Sequence, residues 1–478
     1  MKLLFVTTEA HPFIKTGGLG DVSYALPRAL HAKGIDVRII MPKYAEIPHN
    51  YSSKTSLVKA FNVSVGWRNQ YCGLQYLNYE GIPVYFIDNE YYFKRPGCYG
   101  YFDDGERFSY FCKAVMESVQ YMDDFKPDII HCNDWQTGMV PLLLSEVYRN
   151  RPEFENSRSV YTIHNLKYQG QFSPSVAHDL LGLGQEFYAE DKIKYHDGIS
   201  FMKAGIVFAN KVTTVSRTYA REVQTAYYGE GLDGLLRQKS YKLCGIMNGI
   251  DYDENDPAKN PVLAANFDLS TIEKKAINKE ALQRMAGLPV NPDVPIISMI
   301  TRLVRQKGID LVTRMMEEML KMDVQFVILG TGDHDYQDFF EYYSYSYPGK
   351  VSAFIKFNED LATQIYAGSD IFLMPSLFEP CGLSQMISMA YGTLPVVRET
   401  GGLKDSVIPY NEFTGEGNGF SFTNYNAHDM LNVIEYAVSC YKDKNTWNSI
   451  VKNAMRTKFD WATQGEEYIK IYNEILED

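Results

Sequence analysis

The first predicted strand and helix are joined by Lys15-Thr16-Gly17-Gly18-Leu19-Gly20-Asp21. An apolar run, residues 3–6, precedes this stretch, and a pattern with Val22, Leu26 and Leu30 on one helical face follows it. Where a strand and a glycine turn lead into a helix, backbone N–H groups and the helix dipole can hold an anion. Lys15 adds a full positive charge. We therefore expect a phosphate, or a charge that develops during a reaction, at this turn.

Apolar strands alternate with helices through most of the chain, which predicts two doubly wound α/β domains with parallel sheets. The predicted strands are 3–7, 37–41, 84–87, 128–132, 159–164, 211–216, 295–301, 324–330, 351–357, 371–375 and 394–397. A stretch rich in Asn, Asp and Gly, 248–256, separates the two series. Such sheets bind ligands beyond the carboxyl ends of their strands, so two of them facing each other would form a deep cleft.

Composition excludes several classes of protein. The net charge of −12 argues against nucleic acid as the main partner, because duplex binding needs a basic face. The sequence contains no run of about 18 apolar residues, so we expect no membrane span. The 7 cysteines form no C-x-x-C pair, which disfavours a zinc site and fits reduced thiols in the cytoplasm.

The glycine turn matches only part of the dinucleotide-binding fingerprint. The first two glycines of Gly18-Leu19-Gly20-Asp21-Val22-Ser23 have the required spacing, but serine stands at the third glycine position. The second strand ends at Pro42 without the acidic residue that would bind a ribose. A dehydrogenase is therefore disfavoured.

Three strand-end loops in the second half carry groups that could bind phosphates or hydroxyls. Residues 301–308 include Arg302 and Lys307, and arginine forks with lysine charges suit a diphosphate. Glu379 lies just after the strand 371–375, next to the glycine that opens the following helix. The third loop, 399–402, again leads into a helix. Together they predict contacts to phosphates and hydroxyls.

Two histidines end neighbouring strands in the first half, namely His131 and His164. A strand-end histidine is more often structural than catalytic. Their place on the edge that also carries Lys15 makes the two interpretations about equally supported.

These residues resemble the family of bacterial glycogen synthases and plant starch synthases. The resemblance rests on six motifs in the family's order: 15–22, 162–166, 248–251, 302–308, 379–383 and 400–403. It implies a retaining glucosyltransferase with two Rossmann-like domains facing a cleft, the glycosyltransferase-B fold, needing no metal and no pyridoxal phosphate. The implied substrates are ADP-glucose and the non-reducing end of an α-1,4-glucan such as glycogen.

The resemblance also implies domain limits and site residues. The acceptor-side domain would span 1–245, with a C-terminal helix at 459–478 packing back on it, and the donor-side domain would span 246–458. The implied catalytic residues are Lys15, His164, Arg302, Lys307 and Glu379. The implied donor-binding residues are Gly17, Gly18, Asp21, Asn248, Phe357, Cys381, Gly382, Leu383, Ser384, Thr400, Gly401 and Gly402, and the acceptor-side residues are His131, Asp134 and Tyr99.

Departures from the family pattern leave alternatives open. The family usually has His-Ala-His-Asp-Trp, and this chain has His131-Cys132-Asn133-Asp134-Trp135. Phe357 stands where the family usually has an adenine-contacting tyrosine, which leaves the choice between ADP-glucose and UDP-glucose open. A UDP-glucose-dependent transferase acting on sucrose, a lipid or another sugar, a glucan-binding protein without activity and a phosphorylase remain alternatives. The oligomeric state is not predicted.

Overall fold

The computed structural model describes residues 1–123 and 125–477, which leaves out Asp124 and the last residue of the predicted C-terminal helix, Asp478. The chain divides into two compact units. The N-terminal unit comprises Met1–Asn248 and Trp461–Asp478, and the C-terminal unit comprises Gly249–Asp460. No helix among the described residues is long and apolar enough to cross a membrane.

The N-terminal unit is built on a mainly parallel sheet. Its strands are β1 (Lys2–Val6), β2 (Asp36–Pro42), β3 (Ser56–Val65), β4 (Arg68–Tyr79), β5 (Ile82–Asp88), β6 (Ile129–Asn133), β7 (Arg158–Ile163), β8 (Gln171–Phe172), β9 (Lys194–Tyr195), β10 (Gly198–Ser200), β11 (Lys211–Thr214) and β12 (Leu243–Gly245). The main sheet has the order β12-β11-β7-β6-β1-β2-β5-β4-β3, and β8-β10-β9 form a small separate sheet. Strands β3 and β4 form an antiparallel hairpin at the edge of the main sheet.

Helices cover the sheet of the N-terminal unit. They are α1 (Gly18–Ala32), α2 (His49–Ser52), α3 (Glu90–Phe93), α4 (Asp104–Ser118), α5 (Met139–Leu142), α6 (Phe201–Phe208), α7 (Arg217–Glu222) and α8 (Asp233–Gln238). Helix α1 buries Val22, Leu26 and Leu30, which confirms the predicted apolar face. Helix α5 continues directly as a π-helical segment, Leu143–Tyr148.

The C-terminal unit has one parallel sheet. Its strands are β13 (Ile296–Ile300), β14 (Gln325–Leu329), β15 (Val351–Phe354), β16 (Ile371–Met374), β17 (Leu394–Arg398) and β18 (Phe420–Phe422), in the order β15-β14-β13-β16-β17-β18. Its helices are α9 (Lys275–Met285), α10 (Ile309–Lys321), α11 (His334–Ser346), α12 (Glu359–Gly368), α13 (Ser384–Ala390), α14 (Gly401–Ser406), α15 (Ala427–Lys442) and α16 (Lys444–Arg456). The strand order is that of a Rossmann sheet.

The last helix, α17 (Trp461–Glu477), belongs to the N-terminal unit. Its buried face includes Tyr468, Ile471 and Tyr472, which join the core of that unit. The Tyr472 hydroxyl lies 2.7 Å from His131 Nδ1 in β6. Helix α17, near the C-terminal end of the chain, therefore forms part of the core of the N-terminal unit.

Each main sheet has one point at which the chain reverses its direction of winding. In the C-terminal unit this point lies between β13 and β16, and in the N-terminal unit it lies between β1 and β6. Loops at the carboxyl ends of the two strands diverge there and leave a crevice, which is where open α/β sheets bind ligands. The two switch points therefore mark where a site is expected in each unit.

Candidate active site

The loops after β13 and β16 carry an ion pair between two predicted catalytic residues. Lys307 Nζ lies 2.6 Å from Glu379 Oε2, and the Ser376 hydroxyl donates to the same oxygen at 3.1 Å. Glu379 is only 7% exposed, so the lysine and the hydroxyl supply the compensation that a buried carboxylate needs. Although 72 positions separate them, the lysine and the glutamate meet because β13 and β16 are neighbours at the switch point.

Glycines let the three strand-end loops of the C-terminal unit approach one another. Gly308 has φ +74°, and a Cβ there would lie 2.1 Å from the Pro375 carbonyl oxygen. Gly401 has φ +44°, and a Cβ there would lie 1.9 Å from the Glu379 carbonyl oxygen. The Gly402 amide donates to that same oxygen at 3.2 Å. Any side chain at Gly308 or Gly401 would push the loops apart and displace Glu379.

The other predicted donor-binding residues of this unit differ in exposure. Arg302 is exposed and Lys307 is half-buried, and Phe357, between β15 and α12, is 82% exposed. Cys381 and Thr400 are buried, whereas Gly382, Leu383 and Ser384 are half-buried at the start of α13. The C-terminal unit thus presents a cation, a carboxylate and an open aromatic ring at the carboxyl edge of its sheet.

In the N-terminal unit, the predicted Lys15 lies in the loop after β1 and forms an ion pair with the predicted Asp21 in the first turn of α1. Their Nζ and Oδ1 atoms are 2.8 Å apart, and the two side chains are 36% and 32% exposed. Gly17 and Gly18, which precede and open α1, are exposed. A Cβ at Gly20 would lie 2.9 Å from Lys15 Cβ, so the absence of a side chain there makes room for the lysine.

Glu9 is a residue of this loop that the sequence analysis missed. Its carboxylate accepts hydrogen bonds from the Thr16 amide at 2.5 Å, the Thr16 hydroxyl at 2.7 Å and the Tyr99 hydroxyl at 2.8 Å. Glu9 is 4% exposed, and its hydrogen bonds to Thr16 hold the loop against the core of the unit. Tyr99, predicted on the acceptor side, therefore directs its hydroxyl inward, where it also lies 2.8 Å from Thr8 Oγ1. The available signal in the sequence was a carboxylate three residues after the end of β1.

His164 is held in one tautomer by a short chain of hydrogen bonds. The side-chain amide of Asn133 donates to the Val6 carbonyl at 3.0 Å, which turns its Oδ1 towards His164 Nε2 at 2.9 Å. An amide oxygen only accepts, so Nε2 must carry the proton. Burial lowers the pKa of His164 to about 3. The imidazole is therefore neutral near pH 7, and Nδ1 keeps an acceptor lone pair.

Asp134 lies between β6 and the following helical turn. Its backbone φ is +57°, which is rare for residues other than glycine. Its Oδ1 accepts from the amides of His164 at 2.8 Å and Asn165 at 3.3 Å. Burial raises the pKa of the Asp134 carboxyl to about 7, although these two amides oppose the shift. Asp134 thus ties the end of β6 to the loop that carries His164, and strained geometry of this kind concentrates at functional sites.

His131 lies in the core rather than at a surface that an acceptor can reach. It is 0% exposed, its Nε2 lies 2.6 Å from Thr162 Oγ1, and its Nδ1 bonds to Tyr472. Burial lowers its pKa to about 3. The predicted acceptor-side position does not fit this placement, because α17 closes over β6. We assign His131 to packing.

Asn248 is the predicted donor residue at the end of the N-terminal unit. It is 4% exposed, and its Oδ1 has no hydrogen-bond partner within the described residues. A buried amide oxygen without a donor is costly. It is therefore a ready acceptor for a hydroxyl.

The groups of the C-terminal unit suit binding of a phosphate-activated neutral group. Lys307 and Arg302 supply cations, and Glu379 supplies a carboxylate for hydroxyls or for a developing positive charge. Within the part of the chain that the structure describes, no group of three or more His, Cys, Asp or Glu side chains is arranged to hold a metal ion.

Comparison with known proteins agrees with this geometry. Residues 2–238 match the starch synthase catalytic domain family, and residues 283–455 match the glycosyl transferases group 1 family. The solved sucrose-phosphate synthase of Thermosynechococcus elongatus superposes with a TM-score of 0.64 at 16% identity and covers 100% of this chain and 99% of its own, which concerns the fold alone. The fold and the family matches together define a glycosyltransferase of the B-type fold.

Two further relatives narrow the family. The glycogen synthase of Clostridium acetobutylicum is 55% identical over 477 residues, covering 100% of both chains. The catalytic domain of starch synthase IV from Arabidopsis thaliana, solved with ADP and acarbose, has a TM-score of 0.92 and 36% identity, covering 100% of this chain and 99% of its own. The chain belongs to the glycogen synthase and starch synthase family.

Proposed function

We propose that this chain transfers glucose from ADP-glucose to the non-reducing end of an α-1,4-glucan, with retention of configuration. The observation that carries the proposal is the pairing of Lys307 with Glu379 at the switch point of the C-terminal sheet. The Lys307 ammonium suits a diphosphate and the Glu379 carboxylate suits sugar hydroxyls, and the two groups are in direct contact. Family membership over the full chain supports the same activity.

Donor binding follows from the C-terminal unit. Arg302 and Lys307 bind the diphosphate, whose negative charge grows as the glycosidic bond breaks, so they stabilise the transition state more than the bound donor. Glu379 accepts from glucose hydroxyls once Lys307 turns towards phosphate. Backbone amides at 381–384 and 400–402 line the same edge, and Phe357 offers its exposed ring to the base.

In the N-terminal unit we assign Lys15, Asp21, Asp134 and His164 to the reacting sugars. His164 is neutral and presents the Nδ1 lone pair. This lone pair can accept a hydrogen bond from a hydroxyl, and its partial negative charge stabilises a developing positive charge. Asn133 is a positioning residue. Its hydrogen bond to the Val6 carbonyl orients its side chain, and its Oδ1 then sets the tautomer and ring orientation of His164.

We propose front-face attack by the acceptor hydroxyl. The bond between glucose C1 and the β-phosphate oxygen breaks, a bond from C1 to the acceptor O4 forms on the same face, and the leaving phosphate oxygen takes the acceptor proton. Trapping of a covalent glucosyl adduct on Glu379 or another carboxylate would contradict this route.

The proposed reaction requires no cofactor, and we place the enzyme in the cytoplasm. The transfer needs no redox step and no pyridoxal phosphate, since the diphosphate is its own leaving group. All 7 cysteines are free thiols, which fits the reducing cytoplasm. We propose a cytoplasmic enzyme whose partners are ADP-glucose and glycogen.

The test is a donor comparison with purified protein and glycogen. We expect ADP release from ADP-glucose to exceed UDP release from UDP-glucose, and Lys307→Ala to lose most of the activity. Lys404→Ala is the matched control, because Lys404 is a half-exposed lysine of the same unit that pairs loosely with Glu399 at 3.8 Å. Faster turnover of UDP-glucose would favour the second candidate donor, and near-equal rates for Lys307→Ala would remove the phosphate assignment.

A further inference from the structure

Gln385 is a buried glutamine of α13 that has no role in the site described above. It is 0% exposed. Its Nε2 lies 3.1 Å from the Cys381 carbonyl oxygen, 2.9 Å from the Gly382 carbonyl oxygen and 3.1 Å from Ser406 Oγ. Since carbonyl oxygens only accept, the atom that faces them must be the amide nitrogen, and its two hydrogens serve all three oxygens. The side chain therefore ties the loop before α13 to the last residue of α14.

Ser406 extends this link to the loop that opens α14. Its hydroxyl donates to the Gly402 carbonyl at 2.6 Å, so an oxygen lone pair remains to accept from Gln385. The Gly402 amide in turn donates to the carbonyls of Glu379 at 3.2 Å and Pro380 at 3.1 Å. Pro380 directly precedes the first residue whose carbonyl Gln385 holds. These bonds therefore form a closed ring through both loops, called the Gln385 ring below.

The amide oxygen of Gln385 is left without a donor. Oε1 is buried and has no hydrogen-bond partner within the part of the chain that the structure describes. It lies against Gly382, where φ is +71° and a Cβ would lie 2.5 Å from this oxygen. An apolar side chain of similar size would fill the space without a buried, unpaired acceptor, which is destabilising. Stability alone therefore does not account for Gln385, and local costs of this kind are typical of functional sites.

The Gln385 ring fixes the direction in which two loop amides point. In a trans peptide the C=O and N–H bonds point in opposite directions. The carbonyls of Cys381 and Gly382 turn towards the buried Gln385. The amides of the next residues, Gly382 and Leu383, therefore point away from it. Neither amide donates to another group within residues 1–123 and 125–477, so both are available to a ligand.

We propose that Gln385 is a positioning residue for the sugar-nucleotide donor. It acts through the Gln385 ring, which holds the loops 379–384 and 400–402 in one arrangement while their amides and Glu379 contact the donor. The identity of the ligand rests on the proposed function, whereas the ring is a property of the fold. Gln385 itself does not touch the donor. Without it the two loops relax independently, and their contacts to the transferred group weaken together.

The test compares Gln385→Met with a matched control, Gln283→Met. Methionine is close to glutamine in length and shape but donates no hydrogen bond. Gln283 in α9 is 1% exposed, and its Nε2 donates to the Asn291 carbonyl at 2.9 Å and to Gln325 Oε1 at 2.8 Å. These partners lie before β13 and at the start of β14, at the sheet edge opposite the donor loops. The control therefore removes a buried glutamine of the same unit without affecting those loops.

We expect Gln385→Met to raise the KM for ADP-glucose about tenfold and to leave the KM for glycogen within about twofold of wild type. Gln283→Met should lower Tm as well but keep the wild-type KM for ADP-glucose. Hydrogen exchange should become faster in residues 379–386 and 400–406 of Gln385→Met alone, because the ring no longer protects them. A role in folding alone would not separate the two substrates in this way.

Ser406→Ala breaks the same ring by a milder change, and tests the inference even where Gln385→Met folds poorly. We expect Ser406→Ala to raise the KM for ADP-glucose about threefold, and the double variant to exceed Gln385→Met by less than about twofold. Effects that multiply in the double variant would show that the two residues act separately, which would overturn the inference.

Two other results would also overturn it, namely an unchanged KM for ADP-glucose in Gln385→Met and an equal rise in Gln283→Met. A wild-type protein that transfers no glucose would instead refute the proposed function, and the positioning role of Gln385 would fall with it. Wild-type transfer together with an unaffected Gln385→Met would refute the positioning role alone.

Discussion

The ion pair between Lys307 and Glu379 allows stability and catalysis to be separated. The Lys307 and Glu379 side chains are 18% and 9% exposed, and their charged atoms are 2.6 Å apart. Replacing Lys307 with methionine leaves a buried carboxylate whose remaining hydrogen-bond donor is the Ser376 hydroxyl. Breaking a buried pair in this way costs about 3 kcal/mol. For a unit of this size we expect Tm to fall by about 6–12 °C.

A second substitution tests whether the uncompensated charge of Glu379 causes the loss of stability. In the double variant Lys307→Met with Glu379→Gln, the uncharged amide still accepts from Ser376, so no charge remains buried. We expect the free energy of unfolding to return to within about 1 kcal/mol of wild type, since replacing both partners is often nearly neutral. Transfer activity should stay lost, because the diphosphate and sugar contacts are both gone.

Calorimetry of the full chain and an ADP-release assay measure the two effects. Lys404→Met is the control, because its pair with Glu399 at 3.8 Å is half-exposed and should contribute less than about 1 kcal/mol. Melting of Lys307→Met within about 2 °C of wild type would refute the argument. So would a double variant as unstable as the single one.

Three further outcomes follow from the site geometry. Asn133→Leu should lower kcat about tenfold to a hundredfold with little change in the KM for ADP-glucose, because His164 loses the acceptor that sets its tautomer. Between about pH 4 and pH 7 the stability of the N-terminal unit should fall as pH rises, since burial lifts the folded pKa of Asp134 to about 7, and Asp134→Asn should reduce this slope. Phe357→Ala should raise the KM for ADP-glucose about tenfold, and Phe357→Tyr should retain affinity, because an aromatic ring suffices for stacking.

Each of these has a distinct contrary result. A rise in KM without a fall in kcat for Asn133→Leu would show that His164 contributes binding alone. For Asp134, equal stability of wild type and variant across the range would mean that its carboxyl is ionised as in the unfolded chain. For Phe357, unchanged KM in the alanine variant would show that the base does not contact the ring.

Much of the fold follows from the sequence because buried parallel strands are continuous apolar runs. Residues 295–301, 371–375 and 394–397 were predicted as strands and occur as β13, β16 and β17. The hairpin β3–β4 had no such run. Most of β3 is exposed and only Val63 and Val65 are buried, so the strand leaves little hydrophobic pattern in the sequence.

The candidate site was partly predictable for a related reason. Positions at strand ends indicated Lys307 and Glu379 individually, but their contact depends on β13 and β16 being neighbours, which only the sheet order fixes. Asn133 stood in the sequence as a departure from the family pattern, and its role depends on the Val6 carbonyl 127 positions away. His131 has the same strand-end signal as His164, yet α17 buries it from 341 positions further along the chain.

The most direct test of glucosyl transfer to an α-glucan follows the label into the polymer. Purified protein is incubated with glycogen and ADP-glucose labelled in the sugar, and the recovered polymer is digested with β-amylase, which removes maltose from non-reducing ends. We expect label to enter the polymer in proportion to ADP released and to leave it early in digestion as maltose. ADP release without labelled polymer, or label that resists β-amylase, would contradict the proposed reaction.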